Sequence, residues 1–266
     1  TGKDRTGYWI TTAQKHLELA LDVTFDMLLH SKFDHEEVER ERKVIMEEIK
    51  MYEENPLMHI EDLFERAMFA GHELGWNIAG TKETMAGIGR KELVAFKQRF
   101  YYPRNTVVIV AGSFNEAQTR QSIEEHMAGF RSGPKTPERL HPFHFKKASK
   151  VALHRQQVDQ VQLALGFPSY GYGHKSLPAL HLLNVVLGGN MSSRLFISVR
   201  ERRALAYSVR SSADQYAETG SFKVRAGLDA SRVEEAVHVI LDELEAIKQG
   251  VSAKELADAK EYTRGK

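Results

Sequence analysis

Apolar residues recur along most of the chain at spacings of three and four, the pattern that one buried face of an α-helix produces. The pattern predicts helices over 14–31, 35–54, 57–71, 81–88, 90–101, 115–130, 174–189, 192–203, 231–250 and from 252 onward. Continuous or alternating apolar runs predict strands over 7–13, 106–114, 149–155, 159–169, 206–216 and 220–228.

The order of these elements favours an α+β fold in which helices pack on antiparallel sheets, because strand pairs alternate with helical runs. One segment interrupts the pattern: residues 131–144 carry three prolines and many polar side chains, which is typical of a linker. We therefore expect a domain boundary there, with one domain over 1–135 and a second over 136–266.

The predicted helix over 35–54 carries two carboxylates on its apolar side. Val38, Ile45 and Tyr52 repeat every seven residues, and Glu41 and Glu48 flank Ile45 within roughly 20° of each other. Burying a carboxylate is costly unless it is paired or bound to a metal. Two interpretations remain: the pair edges the stripe and reaches water or an arginine, or it comprises a metal ligand and a supporting carboxylate.

A second pair of polar residues lies where a predicted helix passes into a predicted strand. Arg200 ends the helix and Tyr207 begins the strand. A guanidinium and a phenol brought together there would donate hydrogen bonds to a substrate carbonyl or a developing oxyanion. The alternative is an ordinary surface arginine and an ordinary strand tyrosine, and spacing alone does not separate the two.

Composition narrows the function classes further. The net charge is +1 with 27% charged residues and no basic stripe, which argues against nucleic acid, and no apolar run is long enough to span a membrane. The chain has no cysteine, so thiol catalysis and cysteine zinc sites are excluded. Histidine pairs such as His72 beside Glu73, and His141 beside His144, lack the spacing of a two-histidine zinc helix and are interpreted as structural or surface groups.

Five stretches together resemble one protein family. They are ERKVIMEEIKMYEENP, GHELGWNIAGTKET, FYYPRNTVVIVAG, LNVVLGGNMSSRLFISVRERRALAYSV and TGSFKVRAGL, in this order. The chain resembles, over nearly its whole length, the pitrilysin/insulinase family of zinc metallopeptidases, and in particular its bacterial members similar to the mitochondrial processing peptidases. The resemblance implies tandem related domains, each an antiparallel sheet packed with helices, which form half of a peptidase chamber.

The resemblance also implies an activity and roles for residues. It implies a zinc-dependent endopeptidase that hydrolyses enclosed peptides through attack of a metal-activated water. Glu48 would be the third zinc ligand, and Glu41 the carboxylate that holds a ligand histidine. Arg200 and Tyr207 would bind the substrate backbone and the tetrahedral intermediate.

The two histidine ligands and the catalytic base belong to a His-x-x-Glu-His motif that these 266 residues lack. We expect that motif upstream of Thr1, so the chain alone would be inactive. The missing motif keeps a second hypothesis open, a non-catalytic peptide-binding or scaffold subunit of the same family. The resemblance further implies a peptide substrate, pairing as a homodimer or with a second family subunit, and a bacterial cytoplasmic location.

Overall fold

The computed structural model describes residues 1–136, 138–139, 141, 143–145 and 151–265. The chain divides into two compact units. The first unit comprises Thr1–Lys50 and Ile78–Leu140, and the second comprises Met51–Asn77 and His141–Lys266. The division into two related domains over 1–135 and 136–266 stays a prediction.

The helices follow the predicted pattern closely. They are α1 (Leu17–Leu29), α2 (His35–Glu54), α3 (Pro56–Met68), α4 (Lys82–Gly87), α5 (Arg90–Phe100), α6 (Glu116–Met127), α7 (Leu177–Leu187), α8 (Val233–Ala246) and α9 (Ala253–Arg264). Side chains fix several of their starts: Asn55, Thr81, Asn115 and Ser252 each accept a hydrogen bond from a backbone N–H of the first turn. The strands are β1 (Gln160–Tyr170), β2 (Ala206–Gln215) and β3 (Thr219–Asp229).

The regular secondary structure among the described residues of the first unit is helical. Phe25 of α1 is 2% exposed and stacks on the His126 ring of α6 at a centroid distance of 4.9 Å. Arg42 of α2 donates to the carbonyl oxygens of Ala86 and Ile88, at 2.9 and 2.6 Å, just where α4 ends. A guanidinium at that place satisfies carbonyls that the helix leaves without a partner.

Two strand predictions for this unit are wrong. Residues 7–13 and 106–114 form no ladder, and Trp9, Val107 and Ile109 are 84%, 82% and 81% exposed. The apolar pattern there is suited to a strand, but a strand forms only where another strand supplies hydrogen-bond partners. The strand predicted over 149–155 is likewise not formed at 151–155; residues 149 and 150 lie outside the described residues.

The second unit is built on an antiparallel sheet of order β1-β3-β2, so β3 is the central strand. Phe222, Val224, Ala226 and Leu228 alternate along β3 and enter the core. That core also contains fully buried residues of α7, of α8 and of the segment before β2, among them Leu187, Ile240, Leu195, Val199 and Leu205. The α+β prediction is confirmed, and no helix in the described part of the chain is long and apolar enough to cross a membrane.

Candidate functional site

Arg200 and Tyr207, predicted from the sequence as a pair of donors, lie together in the second unit. The guanidinium carbon of Arg200 lies 5.7 Å from the ring centroid of Tyr207 and 4.7 Å from that of Phe196. Both distances are within the range at which a guanidinium is attracted to an aromatic face. Phe196 was missed in the sequence, although it lies four residues before Arg200, the spacing that places two side chains on one side of a helix.

The backbone is irregular on both sides of this stack. Residues Phe196–Glu201 form a π-helix, in which the N–H of Arg202 donates to the carbonyl of Ile197 at 2.9 Å. Ala204 has a positive φ of 49°. The register of β2 shifts between Ala206 and Ser208, which leaves Tyr207 as the bulged residue. Single π turns and β-bulges re-aim side chains and are frequent at functional sites.

Tyr207 and Arg200 keep their donor groups available. Tyr207 is 73% exposed, and Arg200 is half-buried. Within the described ranges neither side chain donates a hydrogen bond to a protein acceptor, and no carboxylate pairs with Arg200. The aromatic contacts hold the guanidinium without using its five N–H groups. The arrangement can therefore donate to an incoming carbonyl or anion.

Glu41 and Glu48 share one side of α2, as predicted, but that side is exposed. The buried side of the helix lies near Ile49, which is 3% exposed and about 100° further round from Glu48. Val44 and Tyr52, on the carboxylate side, are 47% and 39% exposed. The expectation of a core-facing carboxylate pair is corrected, because the interior lies on the adjoining side of the helix.

A zinc ion needs more ligands than these residues supply. Structural and catalytic zinc sites use at least three protein ligands from His, Cys, Asp or Glu. In the part of the chain that the structure describes, no group of three such side chains is placed to hold a metal ion. Glu48 is an accessible carboxylate on a regular helix, so it fits one position of such a site and not a site by itself.

The histidine pairs of the sequence serve the structure. The buried His72 accepts a hydrogen bond from the Leu74 N–H at Nδ1, 3.1 Å, and its Nε2 lies 2.6 Å from the His141 carbonyl oxygen. His72 Nε2 therefore carries the proton and donates it. Glu73 pairs with the imidazole of His141, and backbone hydrogen bonding followed by that contact lowers the pKa of Glu73. Both nitrogens of His72 are occupied, as expected for a structural group.

One ion pair near the Arg200 stack was missed by the sequence reasoning. Arg194 grips Glu255 of α9 with two parallel bonds, Nε to Oε1 at 2.6 Å and Nη2 to Oε2 at 3.0 Å. The hydrogen bond from Arg194, and then the one from the Ser252 N–H, lower the pKa of Glu255 to about 2. The partners are 61 residues apart, so no local spacing rule would have paired them.

A second group of charges was missed on the sheet face opposite the core. Lys223 of β3 lies 2.5 Å from Glu61 of α3 and 2.8 Å from Asp214 of β2, and Arg225 also pairs with Glu61. Burial acts to lower the pKa of Lys223, but the hydrogen bonds to Asp214 and Glu61 outweigh it and raise the pKa. The signal was available in the sequence, because Lys223 and Arg225 alternate with the apolar residues of β3.

The likeness to known proteins bears on both halves of the chain. Residues 87–262 match the family model described as the peptidase M16 inactive domain, and residues 1–82 match the one described as insulinase, peptidase family M16. The chain belongs to this peptidase family, which the resemblance had implied. Glu41 and Glu48 fall in the second of these matches, and Arg200 and Tyr207 in the first.

A bacterial relative covers the chain from end to end. The chain is 35% identical over 267 residues to the uncharacterized zinc protease YmxG of Bacillus subtilis, a match that covers 100% of the chain and 64% of the relative. It is 32% identical to the uncharacterized zinc protease ML0855 of Mycobacterium leprae and spans 60% of that protein. The chain therefore spans less than two thirds of the length of these relatives.

The fold has solved counterparts. A protease from Helicobacter pylori superposes with a TM-score of 0.85 at 22% identity, over 96% of this chain and 62% of that one. The peptidase M16 inactive domain from Pseudomonas fluorescens superposes with a TM-score of 0.81 at 22% identity, over 95% of this chain and 61% of that one. At such identity the likeness establishes the fold alone.

Proposed function

We propose that the complete protein hydrolyses peptides as a zinc-dependent endopeptidase, and that this chain supplies its substrate-binding donors, Arg200 and Tyr207. The observation that carries the proposal is the stack of the two side chains at a π turn and a β-bulge. Membership of the peptidase family supports peptide hydrolysis as the class of reaction.

The two donors suit different parts of a peptide bond. The Arg200 guanidinium presents several N–H groups in a plane, which suits a carbonyl oxygen or two carbonyls of an extended peptide. The Tyr207 hydroxyl is a single rotatable donor on an exposed ring. A donor that meets the carbonyl oxygen only as its charge grows lowers the barrier, whereas one that meets it equally before and after lowers only KM.

The metal part of the proposal concerns Glu48 and Glu41. Glu48 is exposed and free to act as one carboxylate ligand, and Glu41, on the same side of α2, would orient a histidine ligand. The remaining ligands would have to come from residues other than the described ones. Bound zinc would polarise the scissile carbonyl and its attacking water.

A non-catalytic subunit is the second candidate. The inactive-domain model that matches residues 87–262 fits this role as well as it fits the peptidase. Such a subunit would use Arg200 and Tyr207 to bind an extended peptide without cleaving it. In either role the protein would act on peptides and pair with a second copy or with another family subunit, and the bacterial relatives favour the cytoplasm.

The test uses the complete protein beside four variants: Glu48→Gln, Arg200→Ala, the double variant Arg200→Ala with Tyr207→Phe, and Lys254→Gln. Zinc per chain is measured by elemental analysis, and cleavage is followed with a mixture of internally quenched peptides. We expect about one zinc per chain, lost in Glu48→Gln, and cleavage that Arg200→Ala reduces at unchanged zinc. Lys254→Gln removes a surface ion pair with Asp258 and should change neither.

Two results would separate the candidates. Zinc-free, folded protein that still binds peptides through Arg200 would overturn the peptidase and support the binding subunit. If the double variant Arg200→Ala with Tyr207→Phe still cleaves peptides at the wild-type rate, the donors of this chain take no part in the reaction.

A further inference from the structure

We infer that Arg194 and Glu255 form a positioning pair that holds Arg200 against Tyr207. The inference rests on the proposed function for its effect on cleavage, but its geometric part stands without it. Neither residue reaches the stack itself: each acts through the short helical segment that begins at Arg194 and ends at Glu201.

The Arg194–Glu255 pair is a partly buried, bidentate ion pair and not a single exposed contact. The side chains of Arg194 and Glu255 are 21% and 33% exposed, and the guanidinium makes two bonds to the carboxylate, at 2.6 and 3.0 Å. The same guanidinium donates to the Gly250 carbonyl oxygen at 3.2 Å. Bidentate pairs of this kind restrict geometry more than single contacts do.

The carboxylate of Glu255 is itself held in place. Its Oε2 accepts the Ser252 N–H at 2.8 Å, while the Ser252 hydroxyl accepts the Glu255 N–H at 3.2 Å, so the residue completes a capping box at the start of α9. Arg194 is thereby attached to the first turn of a packed helix. The attachment fixes the position at which the segment before Arg200 begins.

The link from Arg194 to Arg200 is short and rigid. Leu195 and Val199 are 0% exposed and pack in the core, four residues apart on one side of the segment. They hold the segment in the core of the second unit. The direction of Arg200 also depends on the winding of the segment, because a π turn holds one more residue than an α turn. A fixed start at Arg194 selects the winding that points Arg200 at the Tyr207 ring.

A lysine in place of Arg194 would test this selection. Lysine keeps the charge but has no planar fork, so it cannot make both bonds to Glu255. Glu255→Gln is the reciprocal change: it keeps the shape and an acceptor for the cap while removing the charge. Lys254→Gln is the matched control, since Lys254 lies on the same helix and pairs with Asp258 in an exposed contact.

The first measurement uses the full chain labelled with ¹³C in tyrosine rings, and Tyr207→Phe assigns the Tyr207 signal. Arg200→Ala should shift that signal, because the cation leaves the ring face. Arg194→Lys and Glu255→Gln should shift it in the same direction, and Lys254→Gln should leave it unchanged. If the Tyr207 signal shifts clearly in Arg200→Ala but does not move in Arg194→Lys or Glu255→Gln, the inference is overturned.

The second measurement is a double-mutant cycle on cleavage by the complete protein. Arg194→Lys should lower kcat/KM by about tenfold, and the same change should have no further effect in an Arg200→Ala background, because its effect passes through Arg200. Full additivity of the two changes overturns the inference. If Arg200→Ala alone leaves cleavage intact, the proposed function fails instead, and the Tyr207 signal still decides the positioning role.

Discussion

The guanidinium of Arg200 faces the ring of Tyr207 at 5.7 Å, and each side chain leaves its element at a backbone irregularity. Arg200 belongs to a π turn, and Tyr207 is the extra residue of a β-bulge. A regular helix and a regular strand would fix the two directions independently. The two irregularities together turn the side chains toward each other, which is why seven residues of sequence separation end in a contact.

This contact separates the two groups that Tyr207 carries, its ring and its hydroxyl. We expect Tyr207→Phe to keep the stack and to lower kcat by about 100-fold, since the loss of one oxyanion donor has this size. Tyr207→Leu removes the ring as well and should lower kcat at least as far. The comparison is made on cleavage by the complete protein.

Neither Tyr207→Phe nor Tyr207→Leu should alter the stability of the folded protein. Tyr207 is 73% exposed, so we expect the free energy of unfolding to change by less than about 0.5 kcal/mol. Urea unfolding of both variants provides this control. Equal activity in wild type and Tyr207→Phe would show that the hydroxyl takes no part in the reaction.

Local patterns predicted the helices of this chain well because each helix contains its own hydrogen bonds. The apolar periodicity of α8 and the capping groups Thr81 and Ser252 act within one or two turns. The strand predictions had two outcomes. The hairpin over 206–228 formed as predicted. Residues 7–13 and 106–114 did not form strands, because no described strand pairs with them.

The candidate site was predictable only where its partners are close in sequence. Arg200 and Tyr207 belong to one run, so their proximity could be anticipated. The burial of Glu41 and Glu48 was misjudged because the apolar residues of α2 cover more than half of its circumference, and periodicity does not say which part faces the interior. The contacts of Arg194 with Glu255, and of Lys223 with Glu61, join distant parts of the chain and left no local signal of the partner.

The charged cluster on the sheet face opposite the core comprises Lys223, Arg225, Glu61 and Asp214. Removing one charge of a pair in it should lower the stability of the folded protein. Glu61 pairs with both Lys223 and Arg225. In Glu61→Gln, Arg225 loses its carboxylate while Lys223 keeps Asp214. We expect a loss of about 3 kcal/mol in the free energy of unfolding, the lower end of the range for a broken buried pair, because Glu61 is 25% exposed. Urea unfolding near neutral pH measures it.

Removing Arg225 together with Glu61 should cost less than the sum of the two single changes. The double variant Glu61→Gln with Arg225→Met leaves none of these charges without a partner, because Lys223 keeps Asp214. Glu245→Gln, which breaks an exposed pair with Lys248, is the control and should change stability by at most about 0.5 kcal/mol. A Glu61→Gln protein as stable as this control would show that the cluster contributes nothing.

The Arg194–Glu255 pair should make stability depend on acid. The pKa of Glu255 is lowered from 4.5 to about 2. A carboxyl whose folded pKa is depressed stabilises the folded state above its unfolded pKa, and that contribution is lost as pH falls through the folded pKa. We therefore expect wild type to exceed Glu255→Gln in stability at pH 6, with the difference shrinking as pH falls from about 4.5 toward about 2.

The difference between the two proteins isolates this carboxyl from the others that titrate in acid. Urea unfolding is measured at several pH values for wild type, Glu255→Gln and the exposed-pair control Asp258→Asn. A difference between wild type and Glu255→Gln that stays constant over this pH range would show that Glu255 is not held in its charged form by Arg194.

Close packing of α3 on β1 yields the last prediction, for Gly166. A Cβ added at Gly166 would collide with the ring of Phe64 and would lie 3.1 Å from the methyl carbon of Met68. Phe64 is 7% exposed and has little room to move. We expect Gly166→Ala to lower the free energy of unfolding by about 1 to 3 kcal/mol, the usual cost of overpacking.

A smaller residue at position 64 should relieve the collision at Gly166. The double variant Gly166→Ala with Phe64→Leu should therefore be more stable than the sum of the single changes predicts. Gly87→Ala is the matched control, because nothing lies within 4 Å of a Cβ at Gly87. Strict additivity in the double variant, or a Gly166→Ala protein as stable as Gly87→Ala, would mean that α3 can lift from β1 without cost.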